Sequence, residues 1–327
     1  MQFLTKKSLS TLFISFFISI FLAGYVSAGA YKLGHAAPMS HPYHLGALKF
    51  AELVKESTHG KISIDVFPAS QIGNERDLIE GLQLGTVDFT VTSTGTISSF
   101  QPEFGVTDLP FIFRDLDHAY KVLDGAVGNG LYKKIEGIGI KGLSWFENGF
   151  RHVSNSKKPI NSVEDIKGLK LRTMENPIHV AFFRELGADP TPMAWGEVFS
   201  ALEQGVVDGQ ENPVAVLTSA KLYEVQKHYA LTGHVYSAVP LMVRLDLFNS
   251  FSKEEQTAIL NAALEASKYE RKLLAEQEIN GLVELKAKGM LISNPDRTKF
   301  QAAVQPIYEK FSKSIGKDLI NQVIETK

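Results

Sequence analysis

KISIDVFP (residues 61–68), NERDLIEGLQLG (74–85) and TVDFTVTST (86–94) follow one another almost without interruption, and their reading decides the fold. Ile62, Ile64 and Val66 alternate with polar neighbours, the period of a half-buried strand. Asn74 is a helix cap, and the apolar positions behind it carry a helix into the next strand. Working outward, AYKLGHAA (30–37) reads as a first strand. In YHLGALKFAELVKEST (43–58), Ala47, Phe50, Ala51 and Val54 fall at the i, i+3, i+4, i+7 spacing of an amphipathic helix, which His59-Gly60 stops. Strand and helix in alternation predict a parallel sheet with crossover helices.

The pattern restarts after GIGIKGLSWFENGFR (137–151). SVEDIKG (162–168) is a short capped turn, LKLRT (169–173) a strand, IHVAFFRELG (178–187) a helix and DPTPM (189–193) a loop. AWGEVFSALEQGVVDGQENP (194–213) gives helix, strand and loop, and YSAVPLMVR (236–244) a further strand. Ser252 and Glu255 then form a capping box, opening a helix that runs to about residue 288 without a proline. Such a helix is long enough to lie along two domains.

The compartment follows from the start of the chain. MQFLTKK is a cationic n-region, LFISFFISIFLAG (12–24) an apolar h-region, and Val26-Ser27-Ala28 offers small residues for cleavage after Ala28. An exported protein is expected. The sequence has no cysteine, which excludes disulfides, thiol catalysis and a lipoprotein anchor. A net charge of −2 supplies no polybasic surface for nucleic acid.

Few motifs suggest chemistry. Gly137, Gly139 and Gly142 match G-x-G-x-x-G, but a helix precedes and a strand follows, the reverse of a dinucleotide site. The glycines read as a helix-to-strand turn. His35, His41 and His44 form a histidine cluster without a nearby acidic ligand, and Pro42 interrupts it, so no metal or other cofactor is expected. His35, at the end of the first strand, is better placed to line a ligand. No nucleophile elbow, P-loop or HExxH occurs, so an enzyme is not expected.

Two arginines remain. Arg172 stands between Leu171 and Thr173 in an apolar strand, and Arg151 closes another. Each is either a structural ion pair or a ligand fork at the carboxyl end of a sheet, where open α/β folds bind ligands. A guanidinium matches a carboxylate bidentately. Asn212 could orient such a ligand, and Trp195 offers a flat wall.

At these residues the sequence resembles the periplasmic solute-binding subunits of TRAP transporters (tripartite ATP-independent periplasmic transporters), the DctP-type family. The resemblance is carried by FPASQIGNERDLIEGLQLGTVDFTVTSTG, DLPFIF, WFENGFR, NSKKPI, DIKGLKLRTMENP, GADPTPMAWGEVFSALEQGVVDGQENP and KLYEVQKHYALTGHVYS, in order over nearly all of the chain after the leader. It implies a periplasmic-binding-protein-like α/β fold of two domains, a hinge, and a long helix spanning both. The expected division is 1–28 signal peptide, 29–149 with about 238–277 as the first domain, and 150–237 with about 278–327 as the second. A small organic acid would lie in the cleft between them. Arg172 matches the family's carboxylate-holding arginine, Arg151 and Asn212 its companions, and Trp195 the stacking aromatic. Glu75, Ser93 and His35 fall where first-domain contacts vary with ligand, and Met174 and Tyr236 complete the expected set. The resemblance is strongest to members that take sugar acids such as hexuronates. C4-dicarboxylates are the alternative, which Glu75 would oppose by repelling a second carboxylate. Membrane subunits of the transporter are the implied partners.

Overall fold

The computed structural model describes residues 30–327. The expected leader and its cleavage site lie outside the described residues. Nine strands form one sheet: β1 Ala30–Gly34, β2 Ser63–Phe67, β3 Phe89–Val91, β4 Ile140–Asn155, β5 Lys170–Thr173, β6 Asp189–Pro192, β7 Gly209–Asn212, β8 His228–Arg244 and β9 Leu291–Ser293. Their order is β2-β1-β3-β8-β4-β7-β5-β6, with β9 beside β8. Each end is parallel, β2-β1-β3 on one side and β7-β5-β6 on the other. These are the two strand-helix units anticipated above. The middle is two antiparallel strands, β4 and β8, of 16 and 17 residues. β8 pairs with β3 at Leu241–Val243 and with β9 at His228–Ala230, so it belongs to both units.

β8 extends well upstream of the strand expected at 236–244. Its paired register with β4 shifts between Gly142 and Ser144, between Glu147 and Gly149, and between Arg151 and Val153. Each irregularity bends the ribbon and interrupts the period of two on which strand reading depends. At the second, Gly149 has φ +90, a region open to glycine and strained for other residues. DPTPM is also a strand, not a loop. β6 lies at the edge of the sheet, where Asp189 and Met193 donate to Leu169 and Thr173 of the β5 side (2.9 and 3.2 Å). Pro190 and Pro192 occupy the alternate positions, where an edge strand needs no N–H. GIGIKG behaves as read: Gly139, with φ +81, joins the helical turn Glu136–Ile138 to β4.

Helix Lys253–Ala287 is 35 residues long and starts with the Ser252–Glu255 capping box. It ties the two units together. Ser144 of β4 donates to the carbonyl of Ala263 (2.8 Å), and the amide of Glu147 to Glu270 (3.1 Å). Further along, Glu278 accepts from the amide of Ala215 (3.2 Å) and Gln277 donates to Thr218 (3.0 Å). Helix Pro42–Ser57 packs closely beside it, because a Cβ at Gly46 would come within 2.9 Å of the Glu270 Cβ.

The apolar faces meet in three cores. One joins Leu33, Phe50, Phe89 and Leu241 to Ile259 and Ala263 of the long helix. A second gathers Val198, Leu202, Tyr229 and Leu285. The largest runs from Leu78 and Phe104 through Trp145 to Phe182, Phe300 and Val323, and so is shared by both units. The C-terminal helices contribute to it and reach back to the first unit. Tyr308 donates to the Pro110 carbonyl (2.8 Å), and Arg114 to the carbonyls of Ile324 and Thr326 (3.1 and 2.7 Å).

Candidate ligand-binding site

The carboxyl ends of the parallel strands of both units face one another, and a cavity lies between them. From the second unit, β5 supplies Arg172, the end of β7 supplies Asn212, and β4 brings Arg151 beside them through its His152–Asn212 pairing. From the first unit, Glu75 stands in the opening turn of helix Glu75–Leu84, after β2, and Ser93 caps the short helix after β3. Met174 and Trp195 complete the group. These seven residues of the expected set all line the cavity.

His35 and Tyr236 do not line it. Helix Pro42–Ser57 folds over the end of β1, so His35 is wholly buried, and its Nε2 meets His44 Nδ1 (3.2 Å). Tyr236 lies on β8 against Phe113 and Phe150 and donates to Glu147 (2.7 Å). Both serve the interior behind the site. In their place the structure brings His41, Tyr43 and Asn148 to the wall. The histidine-rich loop was visible as a cluster, but nothing in its spacing showed that His41, rather than His35, would face inward. Among the described residues no group of three or more His, Cys, Asp or Glu is arranged to hold a metal ion.

The two arginines differ. Arg151 is an ion pair: Nε donates to Glu211 Oε2 (2.6 Å), Nη2 to Glu211 Oε1 (2.8 Å) and to its carbonyl (2.6 Å), and Nη1 to Ser237 (3.3 Å). Glu211 also accepts from His234 Nε2 (3.0 Å), and His179 lies between it and Asp108 (3.6 and 3.3 Å). Burial opposes the Glu211 charge, but Arg151, His179 and His234 together hold its carboxyl well below the usual range. Burial also works against protonation of His179, and its two carboxylate neighbours outweigh it and raise its pKa. Sequence reading missed this buried network because Glu211 sits in a stretch, DGQENP, that resembles a turn.

Arg172 has no such partner. It is 3% exposed. Its Nε and Nη2 both donate to a neutral acceptor, the Met193 carbonyl (3.1 and 2.7 Å), and the guanidinium stands 5.8 Å from the Trp195 ring centre. No carboxylate among the described residues forms an ion pair with it. Burial depresses its pKa, the nearby Arg151 adds to that, and Glu211 and Glu75 offset only part, leaving a value of about 10. The side chain is therefore charged at neutral pH and under-compensated, a state that an anion would relieve.

Glu75 is already occupied. Its carboxylate accepts from the Ser93 amide (3.0 Å) and the Thr96 hydroxyl (2.9 Å), while burial raises its pKa. Ser93 Oγ accepts from the Gly95 amide (3.3 Å) and lies 3.8 Å from Met174 Sδ, across the cleft. Asn212 donates to Gln210 (2.6 Å), which in turn donates to Ser154 (2.8 Å) and so fixes the amide.

Residues 33–314 match the family model "Bacterial extracellular solute-binding protein, family 7" (DctP), and the chain belongs to this family of TRAP solute-binding proteins. Its members are binding subunits of transporters. The 2,3-diketo-L-gulonate-binding periplasmic protein of Escherichia coli is 36% identical over 95% of this chain and 96% of its own length. A TRAP periplasmic solute-binding protein of Polaromonas, solved with D-erythronate, is 43% identical, covers 91% of this chain and 99% of its own, and superposes with a TM-score of 0.89. Another from Sulfurospirillum deleyianum, solved with succinate, is 37% identical over 91% of this chain and 99% of its own, with a TM-score of 0.87.

Proposed function

We propose that this protein captures a small hydroxylated organic acid, a sugar acid such as a hexuronate, between its two units and delivers it to the membrane subunits of a TRAP transporter. The observation that carries the reading is Arg172: a buried guanidinium whose only acceptor among the described residues is a neutral carbonyl. Removing a charge from water is costly unless it is paired. A ligand carboxylate supplies the pair, and the charged side chain holds it while the units close. Asn212 and the Arg151–Glu211 pair frame the same wall, and Trp195 packs against the ligand's flank.

Closure about β4 and β8 would move residues 29–149 with about 238–277 against 150–237 with about 278–327. The leader and a binding role fit a periplasmic location after export, and no helix among the described residues is long and apolar enough to cross a membrane. Catalysis has little support. Glu75 is tied by two hydrogen bonds and Glu211 by an ion pair, so neither is poised as a base. The relatives' ligands include a keto-sugar acid, a four-carbon hydroxy acid and a dicarboxylate. The dicarboxylate alternative has less support: Glu75 lines the same cavity as Arg172, and a second anion placed beside it would meet repulsion.

The test is titration calorimetry of the protein without its leader against D-glucuronate, D-galactonate, D-erythronate and succinate, with Arg172→Ala in parallel. Loss of a bidentate charged pair weakens binding by about a hundredfold or more. Unchanged affinity in the variant would refute the assignment.

A further inference from the structure

Three polar atoms on the cavity wall are buried and have no partner among the described residues: His41 Nε2, Tyr43 Oη and Asn148 Oδ1. Their residues are 1%, 5% and 6% exposed. Buried polar groups without partners are few in a native protein, so three on one wall call for an explanation. None of the three is loosely held. His41 caps helix Pro42–Ser57, its ring packs edge-on against Tyr43 at 4.4 Å, and Asn148 sits at the β4 bulge next to Gly149.

Their hydrogen-bonding characters can be read from the geometry. The Tyr43 amide donates to His41 Nδ1 (3.2 Å), so Nδ1 carries no proton and the neutral ring carries it on Nε2. Burial and the neighbouring His35 hold the His41 pKa down to about 3, so the ring is neutral. His41 Nε2–H is thus a donor, Asn148 Oδ1 an acceptor, and the Tyr43 hydroxyl either. The Asn148 side chain lies close enough to His41 to favour its protonated ring slightly, but His41 Nε2 and Asn148 Oδ1 fall short of hydrogen-bonding distance and angle, so each retains its capacity for a ligand.

We propose that His41, Tyr43 and Asn148 form a hydroxyl-reading wall that selects acids bearing adjacent hydroxyl groups and rejects a second carboxylate. This rests on Arg172 taking the ligand's one carboxylate. A hydroxyl both accepts and donates, so a single ligand hydroxyl satisfies the His41 N–H and the Asn148 carbonyl together, and a neighbouring one satisfies Tyr43. A carboxylate only accepts. It would leave Asn148 Oδ1 unpaired, and beside Tyr43 it would meet the charge of Glu75, while Arg151 there is already paired with Glu211. A methylene would leave all three atoms buried and unsatisfied. Sites built to bond a substrate hydroxyl reject the analogue lacking it strongly for this reason.

The experiment compares D-glucuronate with cyclohexanecarboxylate, which has the same ring size and charge and no hydroxyls, and D-erythronate with succinate. It uses the protein without its leader, Tyr43→Phe, Asn148→Ala and Arg172→Ala. The unaltered protein should prefer each hydroxy acid over its partner by at least a hundredfold. Tyr43→Phe and Asn148→Ala should each weaken the hydroxy acids about tenfold and leave the weak binding of cyclohexanecarboxylate unmoved. Because the Tyr43 hydroxyl bonds nothing among the described residues, the ligand-free Tm of Tyr43→Phe should be unchanged or higher, an outcome a structural role would not give. Equal affinity for glucuronate and cyclohexanecarboxylate, or a parallel loss of both in Tyr43→Phe, would overturn the proposal. If Arg172→Ala abolishes binding while Tyr43→Phe and Asn148→Ala bind the hydroxy acids normally, the carboxylate reading stands and this one falls.

Discussion

Asn176 of the second unit donates through Nδ2 to the main-chain carbonyl of Gly95 in the first, at 2.9 Å. It also donates to Ser98 Oγ (3.2 Å), while its Oδ1 caps helix Pro177–Glu185 by accepting from Ile178 and His179 (2.7 and 3.1 Å). One end of the side chain folds the second unit and the other end latches it to the first.

Asn176→Asp separates the two tasks. The carboxylate still accepts at the helix start, where negative charge is favourable, but it cannot donate to Gly95. Ligand affinity should fall roughly five- to tenfold while the ligand-free Tm stays within a degree or two. Calorimetry and thermal melting of the same preparation check both halves. A fall in Tm that tracks the loss of affinity would show that the latch has no separate role.

Arg172→Lys keeps the charge and loses the planar fork, together with one of the two bonds to Met193. Affinity for the cognate acid should drop by an order of magnitude or more, though less than in Arg172→Ala. Equal binding by the lysine variant would mean that charge alone holds the ligand.

Glu211→Gln removes the partner of Arg151 and weakens the hold on His179 and His234. Leaving a buried cation unpaired costs roughly 3–5 kcal/mol, so the Tm should fall by about 10 °C. The Glu211 carboxyl is held below its ordinary value when folded. Its contribution is therefore present above the unfolded pKa, near 4.3, and is lost only as pH falls through the lower folded value. Melting curves across acid pH should show wild type keeping its advantage at pH 5 and losing it only in stronger acid.

Glu278 titrates the other way. Burial raises its pKa to about 7, and its carboxylate accepts from the Ala215 amide on the second unit. A carboxyl whose folded pKa lies above the unfolded one contributes stability that is complete below about pH 4.3 and is lost as pH rises through the folded value. Glu278→Gln retains an acceptor for Ala215 and cannot ionise. It should raise the Tm by several degrees at pH 8 and hardly at all at pH 5. A pH-independent difference between the two proteins would contradict the shifted titration.

Much of the architecture was legible because it is written in local periodicity. The alternation of Ile62, Ile64 and Val66, the Asn74 cap and the Ser252–Glu255 capping box each involve residues a few positions apart, and all three elements stand as read. The central ribbon was less legible. β4 and β8 are about three times the usual strand length and are bent at bulges, so their patterns change phase partway along. DPTPM was read as a loop because proline argues against a strand in general, while the exemption for an edge depends on which strand lies outermost.

The sequence by itself determined that this chain is an α/β protein of two units, that it carries a helix of some 35 residues long enough to lie along both, and that two arginines sit at strand ends in apolar surroundings. Only the tertiary structure decided which arginine is spoken for. Arg151 meets Glu211 across a gap of 60 positions in the chain, and β4 and β7 must pair before the two can touch. The same holds for His41, Tyr43 and Asn148, which share a wall because a helix start and a bulge converge there. Propensity and capping act over a few residues, whereas charge compensation and cavity walls are made by contacts between distant ones, and no local pattern encodes those.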